Sequence, residues 1–233
     1  MQKFILFDLD GTLIDGVDDL VVAINAVLAA QKLTPLQRPT VEAMLGDGMR
    51  MFIRRALAVH NVTLAAPAFE AACRKFMEVY EGTQYAHTRL HIGVDETLRR
   101  LHNDGWLIGL ASNKSTAPCI GILQRLAIYE LFTVIAGGDA TTVKKPDGGH
   151  LRYALERMGY QGSKNQFAVM VGDHANDVDA ARAVGIHAIA VALEVSDARA
   201  RTLGADEVVT DFAVLPELLA RIVQQHYGAK TAK

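Results

Sequence analysis

The most constraining feature of this sequence is a short apolar run that leads directly into two carboxylates and a glycine turn. Phe4-Ile5-Leu6-Phe7 is followed at once by Asp8-Leu9-Asp10-Gly11-Thr12. A run this apolar is typical of a strand buried inside a parallel sheet, and residues two apart on an extended chain point the same way. The pattern therefore predicts that Asp8 and Asp10 face one cavity at the carboxyl end of the first strand.

Two carboxylates held this close repel one another unless a cation lies between them. Mg²⁺ is the expected cation, because it is a hard ion that prefers oxygen ligands. An aspartate beside a divalent ion suits covalent phosphoryl transfer, in which one carboxylate attacks phosphorus and the second moves the protons. The alternative from these residues alone is structural: Asp-Gly-Thr is only a turn, and either aspartate caps the following helix.

The rest of the chain shows two patterns. Between Gly16 and about Tyr85 the apolar residues recur at helical spacing, and prolines and glycines divide the segment into about four helices. Beyond Gly93 short apolar runs alternate with amphipathic segments, which is typical of βα units on a parallel sheet. These runs are 106–111, 133–136, 167–171, 187–191 and 208–209.

The first strand must join that sheet, because it has no partner of its own. We therefore predict an α/β fold, in which a Rossmann-like parallel-sheet core carries an inserted, all-helical cap. The core comprises residues 1–14 and 90–233, and the cap comprises residues 15–89. Such a cap would be mobile over a rigid sheet.

Polar residues follow other predicted strands, at the edge where open parallel sheets bind ligands. Ser112 and Asn113 end one strand and precede a helix, where a hydroxyl and backbone N–H groups favour a phosphoryl oxygen. Pro146 pushes Lys145 into an extended conformation, which can aim the ammonium at Asp8 and a bound phosphate. The structural alternatives are that Ser112 only caps the helix and that Lys145 is solvated.

A further pair of carboxylates follows the 167–171 run. Asp173 comes at the end of that strand, and Asp177 lies one turn into the next helix, near its positive end. Either could be a helix cap and nothing else. However, four polar motifs follow four strands of one predicted sheet, which favours a common site over four separate caps.

With these motifs the chain resembles the haloacid dehalogenase-like hydrolase superfamily, most closely its phosphoglycolate phosphatase-like branch with a helical cap. The resemblance spans essentially the whole chain and includes the segment Leu45-Gly46-Asp47-Gly48. It implies that Asp8 is the nucleophile and Asp10 the general acid and base. It also implies that Mg²⁺ is held by Asp8, the backbone carbonyl of Asp10, Asp173 and Asp177.

The same resemblance implies that Ser112, Asn113 and Lys145 bind the phosphoryl group of a small phosphate monoester, which is hydrolysed through an aspartyl-phosphate. The chain departs from the family pattern at three positions that lie outside the proposed carboxylates: Gly16, Gly148 and His174.

Selectivity for the leaving group should come from the cap, because the core residues contact only the phosphoryl group. The Gly46-Asp47-Gly48 turn allows close approach of backbone to a ligand, and Arg50 could hold a carboxylate bidentately. This makes 2-phosphoglycolate the expected substrate. The alternative is that Arg50 is a solvated helix residue beside Arg54 and Arg55.

Three other functions remain open at this stage. A dehalogenase also uses an aspartate nucleophile, but it has no use for Asp10 or Mg²⁺. A phosphomutase would pass the phosphoryl group to a sugar instead of water on the same core. A binding or regulatory module would keep the fold without catalysis.

The composition and charge of the chain limit the classes of partner that it could bind. The 233 residues are 50% hydrophobic with a net charge of -2, and the lysines and arginines are scattered, so nucleic acid is not indicated. No apolar run approaches the roughly 20 residues that a membrane span needs. Cys73 and Cys119 lack metal or redox spacing, which favours free thiols in the cytoplasm. We expect a small phosphorylated metabolite as partner, and both a monomer and a homodimer remain open.

Overall fold

A single parallel sheet forms the centre of the protein. The computed structural model describes residues 1–193 and 201–231. The strands in these residues are β1 (Gln2–Phe7), β2 (Ile14–Asp15), β3 (Arg89–Leu90), β4 (Trp106–Ala111), β5 (Phe132–Ala136), β6 (Gln166–Gly172), β7 (His187–Val191) and β8 (Glu207–Val209). Six of them form one sheet in the order β5-β4-β1-β6-β7-β8, and all neighbouring pairs are parallel.

The predicted α/β fold with a parallel-sheet core is therefore confirmed, and every apolar run predicted as a strand lies within one. The parts of the predicted core at residues 194–200 and 232–233 lie outside the described residues.

The helices surround this sheet. In the described residues they are α1 (Val17–Ala30), α2 (Arg38–Glu42), α3 (Met49–Val59), α4 (Ala66–Gly82), α5 (Val94–Asn103), α6 (Thr116–Arg125), α7 (Gly148–Arg157), α8 (Ala175–Val184) and α9 (Leu215–Thr231). None of the helices in the described part of the chain combines the length and the apolar composition needed to cross a bilayer.

Strand β1 lies at the centre of the sheet, and its side chains are apolar on both faces of the sheet. Ile5 and Phe7 pack on one face with residues of α5 and α9, whereas Phe4 and Leu6 pack on the other face with residues of α7 and α8. All four side chains are fully buried. A strand with two covered faces needs a continuous apolar run, which is what the sequence supplies.

The position of β1 determines what lies at the edge of the sheet. Phe7 is in register with Leu110 of β4 on one side and with Val171 of β6 on the other. The Asp8 N–H donates to the carbonyl oxygen of Val171 at 3.0 Å, so the ladder continues one residue beyond the strand. The segments that follow β1, β4 and β6 consequently start side by side.

The four helices α1 to α4 lie between β2 and β3, which form a short antiparallel ribbon with Ile14 opposite Leu90. This agrees with the four helices expected between residues 16 and 85. The buried Asp19 side chain of α1 binds the segment that leads from α4 back to β3. Its Oδ2 accepts hydrogen bonds from the Thr88 hydroxyl at 2.8 Å and from the His87 N–H at 3.1 Å. The helical segment thus leaves and re-enters the sheet domain at adjacent points.

Replacing Ile5 by Ala should test how much the central strand contributes. We expect a loss of about 3 to 4 kcal/mol in the free energy of unfolding, because a fully buried isoleucine leaves a cavity. Ile92→Ala is the matched control, since Ile92 is 94% exposed, and should change stability by less than about 0.5 kcal/mol. Urea unfolding of both variants measures this, and equal effects would contradict the placement of β1.

Candidate active site

Asp8 is the first residue after β1, and it is buried at the edge of the sheet. Lys145 Nζ lies 3.0 Å from its Oδ1 as an ion pair, outside ordinary hydrogen-bond geometry. Burial would raise the pKa of Asp8, but the charge of Lys145, together with hydrogen bonds from the Leu9 backbone and the Ser112 hydroxyl, holds it below its usual range. Asp8 is therefore an ionised, buried carboxylate.

Lys145 comes from the loop between β5 and α7, and its side chain is only 1% exposed. Its ammonium also lies 2.5 Å from Asp177 Oδ1 and donates a hydrogen bond to it. Burial disfavours the charged lysine, but Asp177 and Asp8 together outweigh that penalty and raise its pKa to about 12. The lysine thus joins the end of β1 to the first turn of α8.

Asp10 lies on the turn after β1 and also lines the cavity. Its partner is Lys114, whose Nζ is 2.8 Å from Oδ2 and 3.1 Å from Oδ1 of Asp10. The turn requires Gly11, which has a φ of +80° and sits where a Cβ atom would collide with the Asp173 carboxylate. The glycine turn therefore lets the carboxylates from two strands approach one another.

Asp173 and Asp177 follow β6. The Thr12 hydroxyl donates to Asp173 Oδ1 at 2.7 Å, and the His174 N–H donates to Asp177 Oδ2 at 3.0 Å. Burial raises the pKa of Asp177 to about 7; repulsion from Asp8 and Asp173 adds to this effect and Lys145 opposes it. The site thus holds more negative charge than its lysine neutralises.

A divalent cation fits this donor set. One ligand atom from each of Asp173, His174 and Asp177 lies within 4.8 Å of the other two. Carboxylate oxygens suit hard divalent ions, and a cation here would relieve the repulsion that raises the pKa of Asp177. Of the expected metal ligands, Asp173 and Asp177 lie in this cluster and Asp8 lies beside Asp177. Asp10 is expected to contribute its backbone carbonyl, and its side chain pairs with Lys114.

Ser112 and Asn113 follow β4, and both are buried. Ser112 lies beside Asp8, as a phosphoryl-binding hydroxyl should. The Asn113 amide instead binds backbone groups. Its Nδ2 donates to the carbonyl oxygens of Gly46 at 2.9 Å and Lys145 at 3.0 Å, and its Oδ1 accepts from the Lys145 N–H at 3.0 Å. Asn113 also lines the cavity, but both of its side-chain donors are bound to backbone carbonyls, so its contact with substrate stays a prediction.

The cavity lies between the edge of the sheet and the helical segment, with a volume of about 60 Å³. Its sheet side is polar, with Asp8, Asp10, Ser112 and Lys114. Its helical side is largely apolar and includes Leu20, Phe52, Phe76, Met77 and Tyr80.

Arg50 does not reach this cavity, and the expectation that it contacts substrate is wrong. Its guanidinium forms a bidentate pair with Glu70 of α4 at 2.9 and 2.5 Å, and its side chain is 50% exposed. It also lies over the Phe69 ring, 5.0 Å from the ring centre. Only its neighbours Gly48 and Met49 line the cavity. The first turn of α3 therefore points Arg50 outward along α4.

Sequence reasoning also missed three residues that the fold brings to the site. Lys114 followed the Ser112-Asn113 motif but carried no signal to distinguish it from a solvated lysine. Tyr80 was one apolar position in a helical pattern. His174, whose Nδ1 lies 2.7 Å from Asp173 Oδ2, departs from the family pattern, and the sequence leaves open whether it lines the cavity or is a solvated or capping residue.

Comparisons with known proteins show what the chain is similar to. A family model described as haloacid dehalogenase-like hydrolase matches residues 5–191. The chain is 32% identical to a phosphoglycolate phosphatase of Agrobacterium fabrum, over 98% of this chain and 97% of that protein. It is 36% identical to a phosphoglycolate phosphatase of Chromobacterium violaceum, over 93% and 96%.

Solved structures agree as well. A predicted phosphoglycolate phosphatase from Haemophilus somnus has a TM-score of 0.83 at 27% identity, covering 94% of this chain and 98% of that one. A putative β-phosphoglucomutase from Thermotoga maritima has a TM-score of 0.73 at 21% identity, covering 95% of this chain and 100% of that one, so it shares the fold.

Replacing Asn113 by Ala should destabilise the protein by about 2 to 3 kcal/mol, because it leaves buried backbone groups of Lys145 without partners. Asn165→Ala is the control, since Asn165 is exposed, and should cost less than about 0.5 kcal/mol. Chemical unfolding checks both values. An Asn113 variant as stable as the control would remove this side chain from the loop framework.

Proposed function

Because the chain belongs to the haloacid dehalogenase-like hydrolase family, we propose that it is a Mg²⁺-dependent phosphatase that hydrolyses 2-phosphoglycolate through an aspartyl-phosphate at Asp8. The observation that carries the proposal is the buried ion network in which Lys145 lies between Asp8 and Asp177. It holds Asp8 ionised at the polar wall of the cavity, as a nucleophile requires. The names of the relatives support the choice of substrate.

In the first step an Asp8 oxygen attacks phosphorus, and the bond between phosphorus and the leaving oxygen breaks. The leaving oxygen takes the electron pair and receives a proton from Asp10. In the second step water attacks the phosphorus of the aspartyl-phosphate and gives its proton to Asp10, so that inorganic phosphate leaves and Asp8 is restored. The Asp10 carboxyl group, paired with Lys114, lies on the cavity side of the same turn, which suits this proton transfer.

Ser112 and Lys145 flank Asp8, and we assign them to the phosphoryl oxygens, where negative charge accumulates. Mg²⁺ bound by Asp8, the Asp10 carbonyl, Asp173 and Asp177 would neutralise further charge on those oxygens. Asn113 acts as a positioning residue, because it fixes the backbone of Lys145.

We further propose that residues 15–89 form a cap that opens and closes over the sheet. Two features support a hinge at the β2–β3 ribbon. Each of its strands is only two residues long, and both chain connections between the sheet and the helical segment pass through it. The Gly46 carbonyl oxygen accepts hydrogen bonds from the Asn113 and Asn176 side-chain amides, each at 2.9 Å, and these bonds stabilise the closed arrangement. Closure would exclude bulk water during the reaction.

The partner is accordingly a small phosphorylated metabolite. We place the enzyme in the cytoplasm, which the two buried and unpaired thiols Cys73 and Cys119 support.

Asp8→Asn should lower the hydrolysis of 2-phosphoglycolate by at least about a thousandfold, because the amide keeps the shape but is not a nucleophile. Phosphate release in the presence of Mg²⁺ measures this, and EDTA should stop the wild-type reaction. Asp95→Asn, a surface carboxylate paired with Arg99, is the control and should keep full activity. Turnover by the Asp8 variant at the wild-type rate would refute the mechanism.

A bisphosphorylated sugar intermediate formed from a sugar phosphate would instead identify a phosphomutase. The same fold is found in the Thermotoga maritima protein, so this intermediate is worth assaying in the same experiment.

Arg50→Ala should leave KM for 2-phosphoglycolate unchanged within about twofold, because the guanidinium pairs with Glu70 outside the cavity. Steady-state kinetics with 2-phosphoglycolate and with p-nitrophenyl phosphate measure the effect. A rise in KM for 2-phosphoglycolate alone would show that Arg50 turns into the cavity when substrate binds.

A further inference from the structure

Tyr80 of α4 is the most deeply buried hydroxyl group on the helical side of the cavity. Its side chain is 1% exposed and lines the cavity, yet its hydroxyl has no hydrogen-bond partner of ordinary geometry among the described residues. Buried polar atoms in folded proteins are nearly always paired. An unpaired hydroxyl in a cavity wall therefore indicates a group that binds ligand.

The nearest charged group is Lys114, which approaches from the sheet side. Its side chain is 11% exposed, and its Nζ lies 5.0 Å from the centre of the Tyr80 ring. An ammonium has three donors, and Lys114 directs at most two of them to the oxygens of Asp10. The third donor can serve the space between Asp10 and Tyr80, where Lys114 also interacts with the Tyr80 hydroxyl.

The surroundings of this pair favour an anion. Lys114 is the one cationic side chain among the described residues that line the cavity. Helix α3 starts at the same wall with Met49, and neither a side-chain cap nor an acidic residue in its first turn offsets its positive end. The neighbouring side chains Leu20, Phe52 and Phe76 are apolar and strengthen any charge interaction made here.

We propose that the Lys114 ammonium and the Tyr80 hydroxyl bind a carboxylate on the leaving group of the substrate. This inference rests on the proposed function, because it takes Asp10 as the proton donor to the leaving oxygen. Lys114 is 2.8 Å from Asp10 Oδ2, so a carboxylate one methylene away from that oxygen comes within reach of both groups. The site therefore selects short phosphorylated 2-hydroxy acids.

The two groups belong to different parts of the protein. Tyr80 lies on the cap and Lys114 on the loop after β4. The carboxylate is consequently held on both sides only when the cap is closed, so the correct substrate helps to close it. The phosphate ester of a neutral alcohol, or of an acid with a longer chain, would not bridge Tyr80 and Lys114.

Binding of two non-hydrolysable ligands tests this proposal without turnover. The ligand 3-phosphonopropionate carries the carboxylate, and propylphosphonate carries a methyl group in its place. With Mg²⁺ present, we expect the wild-type protein to bind the carboxylate ligand at least about tenfold more tightly in calorimetric titration. Tyr80→Phe should reduce that preference about tenfold, because a hydrogen bond to a charged group is lost.

Tyr85→Phe is the matched control, because Tyr85 packs edge-on against Tyr80 at 5.2 Å but does not line the cavity. It should keep the wild-type preference. Lys114→Gln, as the second variant, should also lose the preference for the carboxylate ligand. Thermal unfolding confirms that each variant is folded.

Equal affinities of the wild-type protein for the two ligands would overturn the proposal, and so would a preference that survives both Tyr80→Phe and Lys114→Gln. The proposed phosphatase activity is tested separately, by measuring phosphate release from 2-phosphoglycolate. A phosphatase that hydrolyses this ester without a ligand preference would retain the proposed function and lose only the carboxylate site.

Discussion

The contact of Lys145 with Asp8 and Asp177 is the interaction on which the rest of the site depends. Three nearly unexposed charged groups are stable in a protein interior only when they compensate one another. The contact fixes the end of β1, the loop before α7 and the first turn of α8 relative to each other. The three carboxylates nearby carry more negative charge than Lys145 neutralises. Burial of Asp177, together with repulsion from Asp8 and Asp173, therefore raises the pKa of Asp177. The same arrangement therefore prepares an ionised carboxylate and a place for a divalent cation.

A second layer of polar contacts holds this centre in place and relates it to the helical segment. Asn113 uses its amide to bind backbone groups of Lys145 and Gly46, and Asn176 binds the same Gly46 carbonyl. A single loop carbonyl from the helical segment is thus bound by two core loops. The position of the helices over the cavity and the position of Lys145 beside Asp8 are consequently coupled through one asparagine.

Much of this arrangement could be predicted, because it follows from local pattern and one topological rule. An apolar run such as β1 indicates a buried parallel strand, and polar residues after such strands meet at one edge, which brought Asp8, Ser112 and Asp173 together. The remainder depends on partners distant in sequence. Arg50 was misplaced because Glu70, 20 residues later on another helix, captures it. Tyr80 and Lys114 face each other only through packing of α4 over the sheet, and no periodicity encodes that contact.

The central claim is that Asp8 forms a covalent bond to phosphorus, and chemical trapping tests it most directly. The protein is mixed with Mg²⁺ and 2-phosphoglycolate, quenched in acid within one turnover and reduced with borohydride, which converts an aspartyl-phosphate to homoserine. Peptide mass spectrometry then locates the modified position. The account predicts homoserine at position 8 and at no other aspartate. Complete hydrolysis without any modified residue, or modification at Asp10 or Asp173 instead, would contradict it.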